Sequence, residues 1–204
     1  MENMIKINDY IEYLPSSDAP LSAEVYLIKG ENNNYLFDVG ISKEARKIVE
    51  ETKNRMIIIS HFHPDHIGNL KFFIDDIDNL YLGDYTYKIL GYGNIVRNII
   101  EINDGINLKI IPVPNSHAKG SLMLLVNNRY LLIGDSLYCN TKGYNVSLLY
   151  DEIKLLNELE FKYVLVSHKD KLYPKEVVIK ELMYYYSKRE KNKPYISFKA
   201  FDEI

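Results

Sequence analysis

The chain has 204 residues, of which 47% are hydrophobic and 26% charged, and a formal net charge of −3. This is the composition of an ordinary globular protein and its length suits one well-buried core, so we predict a single domain over residues 1–204. The weakly acidic balance gives no general attraction to a polyanion, which argues against nucleic acid as a partner.

The sequence also bears on the compartment. No apolar run approaches the roughly 18 to 20 residues needed to cross a bilayer, and the N-terminus lacks a basic stretch followed by an apolar core. The one cysteine, Cys139, cannot form an internal disulfide, which agrees with a reducing environment. We therefore expect a cytoplasmic protein with a small-molecule substrate and no membrane partner, and we leave its oligomeric state open.

The first 60 residues are predicted to form strands and one helix. Strands are expected at residues 11–14, 23–28 and 35–37, with polar turns between them. Apolar residues at helical spacing predict a helix over residues 43–52, for which Ser42 is the expected N-cap. A fully buried strand is expected at residues 56–59.

The second half of the chain repeats this organisation. Strands are predicted at residues 108–111, 121–126 and 130–133, and Asn127-Asn128 is a two-residue hairpin signal because asparagine tolerates positive φ. Helices at residues 148–159 and 175–187 flank a last buried strand at residues 163–166. Two β-rich halves, each followed by helix, predict an α/β (α+β) fold in which two sheets pack face to face with helices outside, a four-layer αβ/βα sandwich.

All five histidines of the chain fall into one pattern that is typical of metal binding. Three lie in the run His-Phe-His-Pro-Asp-His at residues 61–66, and His117 and His168 follow. Such a run would arise by chance in only about one in several thousand chains of this composition. Because His61, Asp135 and His168 each come one or two residues after a predicted strand, we expect these side chains to meet at one edge of the sandwich.

Local geometry divides the run at residues 61–66 into two halves. His61 and His63 are two residues apart in an extended stretch, so their imidazoles point the same way and can share one metal. Pro64 disfavours helical geometry at His63 and suits the first position of a helix. That helix would turn Asp65 and His66 toward a neighbouring position, and the run therefore predicts a second metal.

The chain resembles the metallo-β-lactamase superfamily of hydrolases along nearly its whole length. The resemblance rests on five segments in chain order: Tyr-Leu-Phe-Asp-Val-Gly at 35–40, Ser-His-Phe-His-Pro-Asp-His-Ile-Gly at 60–68, Pro-Asn-Ser-His-Ala-Lys-Gly-Ser at 114–121, Gly-Asp-Ser-Leu at 134–137 and Ser-His at 167–168. It implies a first metal held by His61, His63 and His117, a second held by Asp65, His66 and His168, and Asp135 as the bridge between them. It also implies that Asp38 orients a ligand or loop of the site.

The residue types bear on the metal. Neutral imidazoles and carboxylates suit zinc but also iron or manganese, since no thiolate selects a softer ion. Two metals about 3.5 to 4 Å apart can hold a bridging water and lower its pKa toward roughly 7. We therefore expect two divalent ions, Zn²⁺ above Fe or Mn, and an activated hydroxide whose reaction requires Asp65.

Two features bear on the substrate. Tyr138 follows Asp135 by three residues. Lactonases of this superfamily carry at that position a tyrosine that contacts the substrate oxygen, and this chain resembles them there. Tyr138 is therefore a candidate catalytic residue, with packing as the alternative in a chain of 18 tyrosines. The segment at residues 84–100 is predicted to form a variable wall of the site, or else a surface helix and turn.

The predicted function is metal-dependent hydrolysis of a small ester, thioester or lactone, because the expected site can activate a carbonyl group and the Gly-Asp-Ser-Leu segment resembles that of the glyoxalase II and lactonase branches. The alternative is a mononuclear iron oxidoreductase of the same fold, similar to the persulfide dioxygenases. Flavodiiron reductases carry Glu where His63 stands and add a flavin domain, so they are disfavoured, as are nucleases and secreted β-lactamases. A non-catalytic metal-binding protein is a further alternative.

Overall fold

Two β-sheets that pack face to face form the centre of the molecule. The computed structural model describes residues 4–169 and 171–197, and of residues 75–77 it describes the backbone only. The strands are, in chain order, β1 (Ile5–Lys6), β2 (Ile11–Leu14), β3 (Ser17–Asp18), β4 (Leu21–Ser22), β5 (Val25–Lys29), β6 (Asn34–Phe37), β7 (Arg55–Ile58), β8 (Leu80–Leu82), β9 (Asn94–Ile95), β10 (Ile100–Asn103), β11 (Asn107–Val113), β12 (Ser121–Val126), β13 (Tyr130–Leu132), β14 (Tyr144–Asn145), β15 (Tyr163–Leu165), β16 (Leu172–Pro174) and β17 (Tyr195–Ile196).

Five α-helices accompany the sheets in the described part of the chain. They are α1 (Lys43–Glu51), α2 (Pro64–Ile67), α3 (Asp84–Leu90), α4 (Val146–Glu158) and α5 (Lys175–Ser187), with 3₁₀ turns at Leu70–Phe72 and Ile74–Asn79. Among the described residues, none of these helices has both the length and the apolar character needed to cross a membrane.

The two large sheets differ in how their strands pair. The first has the order β1-β2-β5-β6-β7-β8-β9, and its strands β6 to β9 run parallel to one another. The second has the order β10-β11-β12-β13-β15-β16 and is antiparallel except where β13 pairs with β15. The strands β3 and β4, and likewise β14 and β17, form two small ribbons. Parallel neighbours end at the same edge of a sheet, which is the edge that carries the histidines.

Three hydrophobic clusters separate the layers. Between the sheets, Phe37 of the first packs in one cluster with Leu124 of the second. On the outer faces, Val49 of α1 belongs to a cluster with the first sheet, and Leu149 of α4 belongs to a cluster with the second sheet and α5. Each fully buried side chain of this kind contributes about 1.5–3 kcal/mol. The layer order helix, sheet, sheet, helix confirms the predicted four-layer sandwich.

Local signals in the sequence are visible in the structure. The Ser42 side chain accepts a hydrogen bond from the Ala45 amide and caps α1. Asn127 and Asn128 have φ of 51° and 45°, as the hairpin between β12 and β13 requires. Pro64 is the first residue of α2. These three local predictions are therefore confirmed.

Other element boundaries differ from the prediction. Helix α4 begins at Val146 rather than at residue 148, because Asn145 caps it by accepting hydrogen bonds from the amides of Ser147 and Leu148. The segment at residues 84–100 contains α3, which packs on the first sheet, and the short strand β9. Strands of two or three residues such as β8 and β9 have no detectable periodicity, and the sequence did not predict them.

A buried carboxylate joins the two sheets at the end of the sandwich away from the histidines. Asp104, between β10 and β11, accepts hydrogen bonds from the backbone amides of Asn32 and Asn33, both at 2.9 Å, and from the Tyr35 hydroxyl at 3.0 Å. Burial raises the pKa of Asp104, but the hydrogen bonds from Asn32 and Asn33 outweigh that effect and lower it to about 2. The charged form of Asp104 therefore holds the turn between β5 and β6 against the second sheet.

This interaction makes stability depend on pH in a defined window. Because the pKa of Asp104 is lower in the folded state, its contribution is present above its unfolded pKa of about 3.9 and is lost as the pH falls toward about 2. We expect Asp104→Asn to lower the free energy of unfolding at pH 6, and the deficit to shrink between pH 4 and pH 2. Denaturant titrations of the metal-free protein at each pH measure the free energy of unfolding. Asp18→Asn, at an exposed position, is the control. A loss of stability in Asp104→Asn that does not change with pH would contradict the proposed role of the charged Asp104.

Candidate metal centre

The predicted ligands lie at one edge of the sandwich, in loops that leave both sheets. The first sheet supplies His61 and His63 just beyond β7, and Asp65 and His66 on the following helix α2. The second sheet supplies the remaining three, in the loops that follow β11, β13 and β15. The structure brings all seven side chains together as two groups: His61, His63, His117 and Asp135, and Asp65, His66 and His168.

In the first group, three imidazole nitrogens and one carboxylate oxygen converge. His63 Nδ1 lies 3.0 Å from both His61 Nε2 and His117 Nε2. Asp135 Oδ2 lies 3.2 Å from His117 Nε2 and 3.9 Å from His61 Nε2. His61 and His63 thus direct their imidazoles to one point, as their spacing in an extended stretch predicts.

The second group lies beside the first and shares the same carboxylate. Asp65 Oδ2 is 3.1 Å from His168 Nε2 and 3.4 Å from His66 Nε2. The other oxygen of Asp135, Oδ1, is 3.4 Å from His66 Nε2 and 3.8 Å from His168 Nε2. Asp135 therefore presents one carboxylate oxygen to each group.

The donor set fits two metal ions. His66 Nε2 and Asp135 Oδ1 are buried and have no hydrogen-bond partner among the described residues. Leaving a buried polar atom unsatisfied costs about 1–3 kcal/mol, more for a charged group, so a cluster of this kind is unfavourable without a cation. Nitrogen and carboxylate oxygen donors suit zinc, iron or manganese.

At His61 and Asp135, burial and neighbouring groups favour the protonation states that metal binding needs. At His66 the effect of burial is outweighed by the charge of Asp38, which raises the pKa of His66 well above its usual value, so a metal must displace a proton there. Burial, followed by the neighbouring imidazole of His66, lowers the pKa of His61 well below its usual value and keeps it neutral. Burial raises the pKa of Asp135, but the adjacent imidazoles of His117 and His66 outweigh it and hold that pKa far below its usual range. A neutral imidazole and an ionised carboxylate are the forms that bind a metal.

Asp38 sets the orientation of two of the histidines. It is fully buried, and it accepts hydrogen bonds from the Ser60 amide at 2.8 Å, the Ser60 hydroxyl at 2.7 Å and His66 Nδ1 at 2.7 Å. Since the Ser60 hydroxyl donates to Asp38, it accepts from His61 Nδ1, which lies 3.0 Å away. This hydrogen-bond pattern places the proton of each ring on Nδ1 and leaves both Nε2 atoms free to face the two groups.

Glu24 is a residue of the site that the sequence reasoning missed. Its side chain is fully buried, and its Oε2 accepts a hydrogen bond of 2.9 Å from the His168 amide. His168 has φ of 61°, a backbone conformation that costs energy for a residue other than glycine, and this bond helps to hold it. The available signal was a glutamate within the otherwise apolar segment at residues 23–28.

Tyr138 lies next to the first group. Its ring centroid is 6.2 Å from that of His117, and its hydroxyl donates a hydrogen bond of 3.0 Å to the Ser167 carbonyl. Burial, and then the negative charge of Asp135, raises the pKa of Tyr138 to about 12, so the hydroxyl stays protonated. The one proton of that hydroxyl is therefore used within the protein, and contact with a substrate oxygen stays a prediction.

In the predicted wall at residues 84–100, Tyr85 reaches the site through Phe62. The Tyr85 ring lies 5.2 Å from Phe62, whose ring lies 4.8 Å from that of His63. By contrast, Tyr87 and Tyr92 pack against the cluster on the outer face of the first sheet. Most of this segment is therefore part of the helical layer rather than of the site.

Comparisons with known proteins agree with the sandwich architecture. Residues 19–101 match the model of the family described as "Metallo-beta-lactamase superfamily". No curated protein matches the chain. Similar solved structures include both β-lactamases and iron proteins.

Three of these structures illustrate the range. A metallo-beta-lactamase from Pontibacter korlensis has a TM-score of 0.66 and 14% identity, with 88% of this chain and 98% of that chain covered. The chemotaxis sensor ODP, described as a peroxy diiron species, has a TM-score of 0.67 and 15% identity, with 89% and 93% covered. A variant of the flavo di-iron protein from Thermotoga maritima has a TM-score of 0.68 and 15% identity, with 93% and 63% covered.

These identities are low, so the likeness shows a shared fold alone. The chain spans 54 to 63% of the length of the Thermotoga maritima chains that it matches. The fold is thus common to hydrolytic and redox proteins, and the chemistry must be argued from the site itself.

A substitution at Asp38 tests how the tautomers are set. In Asp38→Asn, the amide oxygen must face the Ser60 amide, so the NH₂ group faces His66 Nδ1 and moves the ring proton to Nε2. We expect the variant to fold but to bind metal about 10- to 100-fold more weakly at the second group. Metal content after dialysis against a graded chelator measures this, and wild-type retention of both metals would refute the assignment.

Proposed function

We propose that this chain is a member of the metallo-beta-lactamase superfamily, whose model matches residues 19–101 and whose fold it shares, and that it is a metal-dependent hydrolase of small esters, thioesters or lactones. The observation that carries this proposal is the position of Asp135, which presents one oxygen to each of two adjacent donor groups. Such sharing suits two ions and a water held between them.

The proposed ligands follow the two groups. One ion would be held by His61, His63 and His117, the other by Asp65, His66 and His168, with Asp135 bridging. Two divalent ions, which we propose to be zinc, would supply Lewis acidity and a water of lowered pKa at this position. The donor set contains no thiolate, so iron and manganese are the competing metals.

The proposed reaction adds one water across an acyl bond. The C–O bond of an ester or lactone, or the C–S bond of a thioester, breaks; the acid product keeps the added oxygen, and the alcohol or thiol takes the remaining proton. His61, His66 and Asp135 are buried, whereas His63, Asp65, His117 and His168 are partly exposed, so the centre is open on one side. On that side the Asp65 carboxylate can accept a hydrogen bond from the attacking water and orient it.

Two considerations favour a dinuclear hydrolase over the oxidoreductase alternative. The three donors of the second group converge as closely as those of the first, which supports two ions rather than a single iron. Flavodiiron reductases carry Glu at the position of His63. In this chain the Nδ1 of His63 is a donor of the first group. The glyoxalase II-like or lactonase-like character rests on the Gly-Asp-Ser-Leu segment at residues 134–137.

Metal content and a substrate panel test the function. We expect protein purified without added metal to contain two zinc ions per chain by inductively coupled plasma mass spectrometry. The loaded protein should hydrolyse some members of a panel of aryl esters, acyl thioesters and lactones. No turnover on the whole panel would refute the hydrolase. One iron per chain, with oxygen uptake on addition of a persulfide, would favour the oxidoreductase.

Asp65→Ala is the matched variant for this test. It removes the anionic donor of the second group and the group that orients water, so we expect turnover to fall by at least about 1,000-fold while the fold is retained. Asp9→Ala removes a carboxylate whose side chain is 96% exposed, and it is the control. Activity of Asp65→Ala comparable to that of Asp9→Ala would contradict the assigned site.

Tyr138→Phe tests the predicted catalytic tyrosine. Removal of a donor that stabilises the oxyanion costs about 10²–10³ in kcat. Because the Tyr138 hydroxyl donates to Ser167, we expect a loss smaller than about tenfold, as for a residue that only forms the wall of the site. Steady-state kinetics on the best substrate of the panel measure it, and a loss of 10² or more would establish the catalytic role instead.

A further inference from the structure

We infer that a pocket beside the metal centre binds the uncharged hydrocarbon chain of an acyl substrate. This inference rests on the proposed hydrolase function and adds the substrate class, namely esters or thioesters of apolar carboxylic acids. The acyl pocket, as we name it, has a volume of about 310 Å³, at the lower end of the range for small-molecule sites. It is lined by Leu137, Tyr138, Cys139, Tyr144, Lys169, Glu181 and Tyr185.

One wall of the acyl pocket lies beside the first donor group. Tyr138 contributes to the pocket, and its ring centroid lies 6.2 Å from that of His117 in the first group. Lys169, which also lines the pocket, follows His168 of the second group directly in the chain. The pocket therefore lies close to the metal centre, and in our inference a carbonyl held at that centre extends its chain into it.

The tyrosines of the acyl pocket offer ring faces rather than hydrogen-bond donors. The Tyr138 hydroxyl donates to the Ser167 carbonyl at 3.0 Å, and the Tyr144 hydroxyl donates to the Leu137 carbonyl at 2.6 Å. The Tyr185 hydroxyl donates to the Glu181 carboxylate. Each phenol has only one proton, so all three are already used. The phenols therefore cannot donate to the acceptors of a polar occupant such as a peptide-like thiol.

The remaining groups of the acyl pocket do not favour an ionised occupant. Lys169 and Glu181 carry opposite charges, so the lining has no net charge. Burial raises the pKa of the Cys139 thiol to about 11, which keeps it neutral at physiological pH. The rings of Tyr144 and Tyr185 stack with centroids 4.9 Å apart and fix the shape of the pocket. Apart from this pair of opposite charges, the surface that lines the pocket is mostly apolar, and an uncharged hydrocarbon chain matches that surface.

Alkylation of Cys139 measures occupancy of the acyl pocket without any catalysis. Because the chain has one cysteine, the rate of labelling by iodoacetamide reports this position alone. The probes are three carboxylates: hexanoate, adipate and acetate. Adipate has the same length as hexanoate but carries a second carboxylate. We expect saturating hexanoate to slow labelling at least about fivefold, and the other two to have little effect. Equal protection by hexanoate and adipate, or none by either, would overturn the inference.

The alkylation test is run on protein with and without metal. Hexanoate protection in metal-free protein would show that the acyl pocket binds a chain even if no substrate is hydrolysed. Failure of the proposed function and failure of this inference are thereby distinguished.

Selectivity for chain length provides the second test. Cys139→Phe fills the acyl pocket, so we expect the ratio of kcat/KM for a hexanoyl thioester to that for the acetyl thioester to fall at least about tenfold. Met183→Phe adds an aromatic ring on the exposed face of α5, where the side chain is 48% exposed, and is the matched control. Equal ratios in wild type, Cys139→Phe and Met183→Phe would overturn the inference; circular dichroism verifies that both variants are folded.

Discussion

The interaction on which the rest of the structure depends is the contact of one buried carboxylate with two clusters of imidazoles. Asp135 is 7% exposed and faces His117 with one oxygen and His66 with the other. Without cations this arrangement places nitrogen lone pairs against one another in a medium that screens them poorly. The rest of the fold must therefore hold these side chains together against their mutual repulsion. Much of the structure around Asp135 serves this purpose.

The contacts that hold these side chains together differ on the two sides of the cluster. On the first sheet, Asp38 has φ of 62° and accepts three short hydrogen bonds, two from Ser60 and one from His66. It holds His61 indirectly, through the Ser60 hydroxyl. On the second sheet, the Asn115 side chain accepts a hydrogen bond from the His117 amide, and the Ser167 amide donates to the Gly134 carbonyl. Because the ligands come from loops of both sheets, ions bound there would also link the sheets to one another. At the other end of the sandwich, Asp104 links them by hydrogen bonds alone.

Much of the fold could be predicted from the sequence because its central strands are long and apolar. Strand β12 is buried on both faces, with Leu124 toward the other sheet and Leu125 toward the helices, and it was predicted with its observed bounds. The convergence of the seven predicted ligands could be anticipated because histidine is rare in this chain and four of the seven lie within residues 61–66. Asp104 and Glu24 could not, since their partners lie roughly 70 and 144 residues away and nothing local indicates the contact.

The segment at residues 22–24 bears on how the centre holds a metal. The Ser22 hydroxyl accepts from the Ile41 amide, the Ala23 amide donates to the Asp65 carbonyl, and Glu24 accepts from the His168 amide. Three consecutive residues that include none of the predicted ligands therefore hold three separate segments around the centre. Because groups that contact the ligands orient them, a substitution in this segment would change how the centre holds a metal while every ligand stays in place.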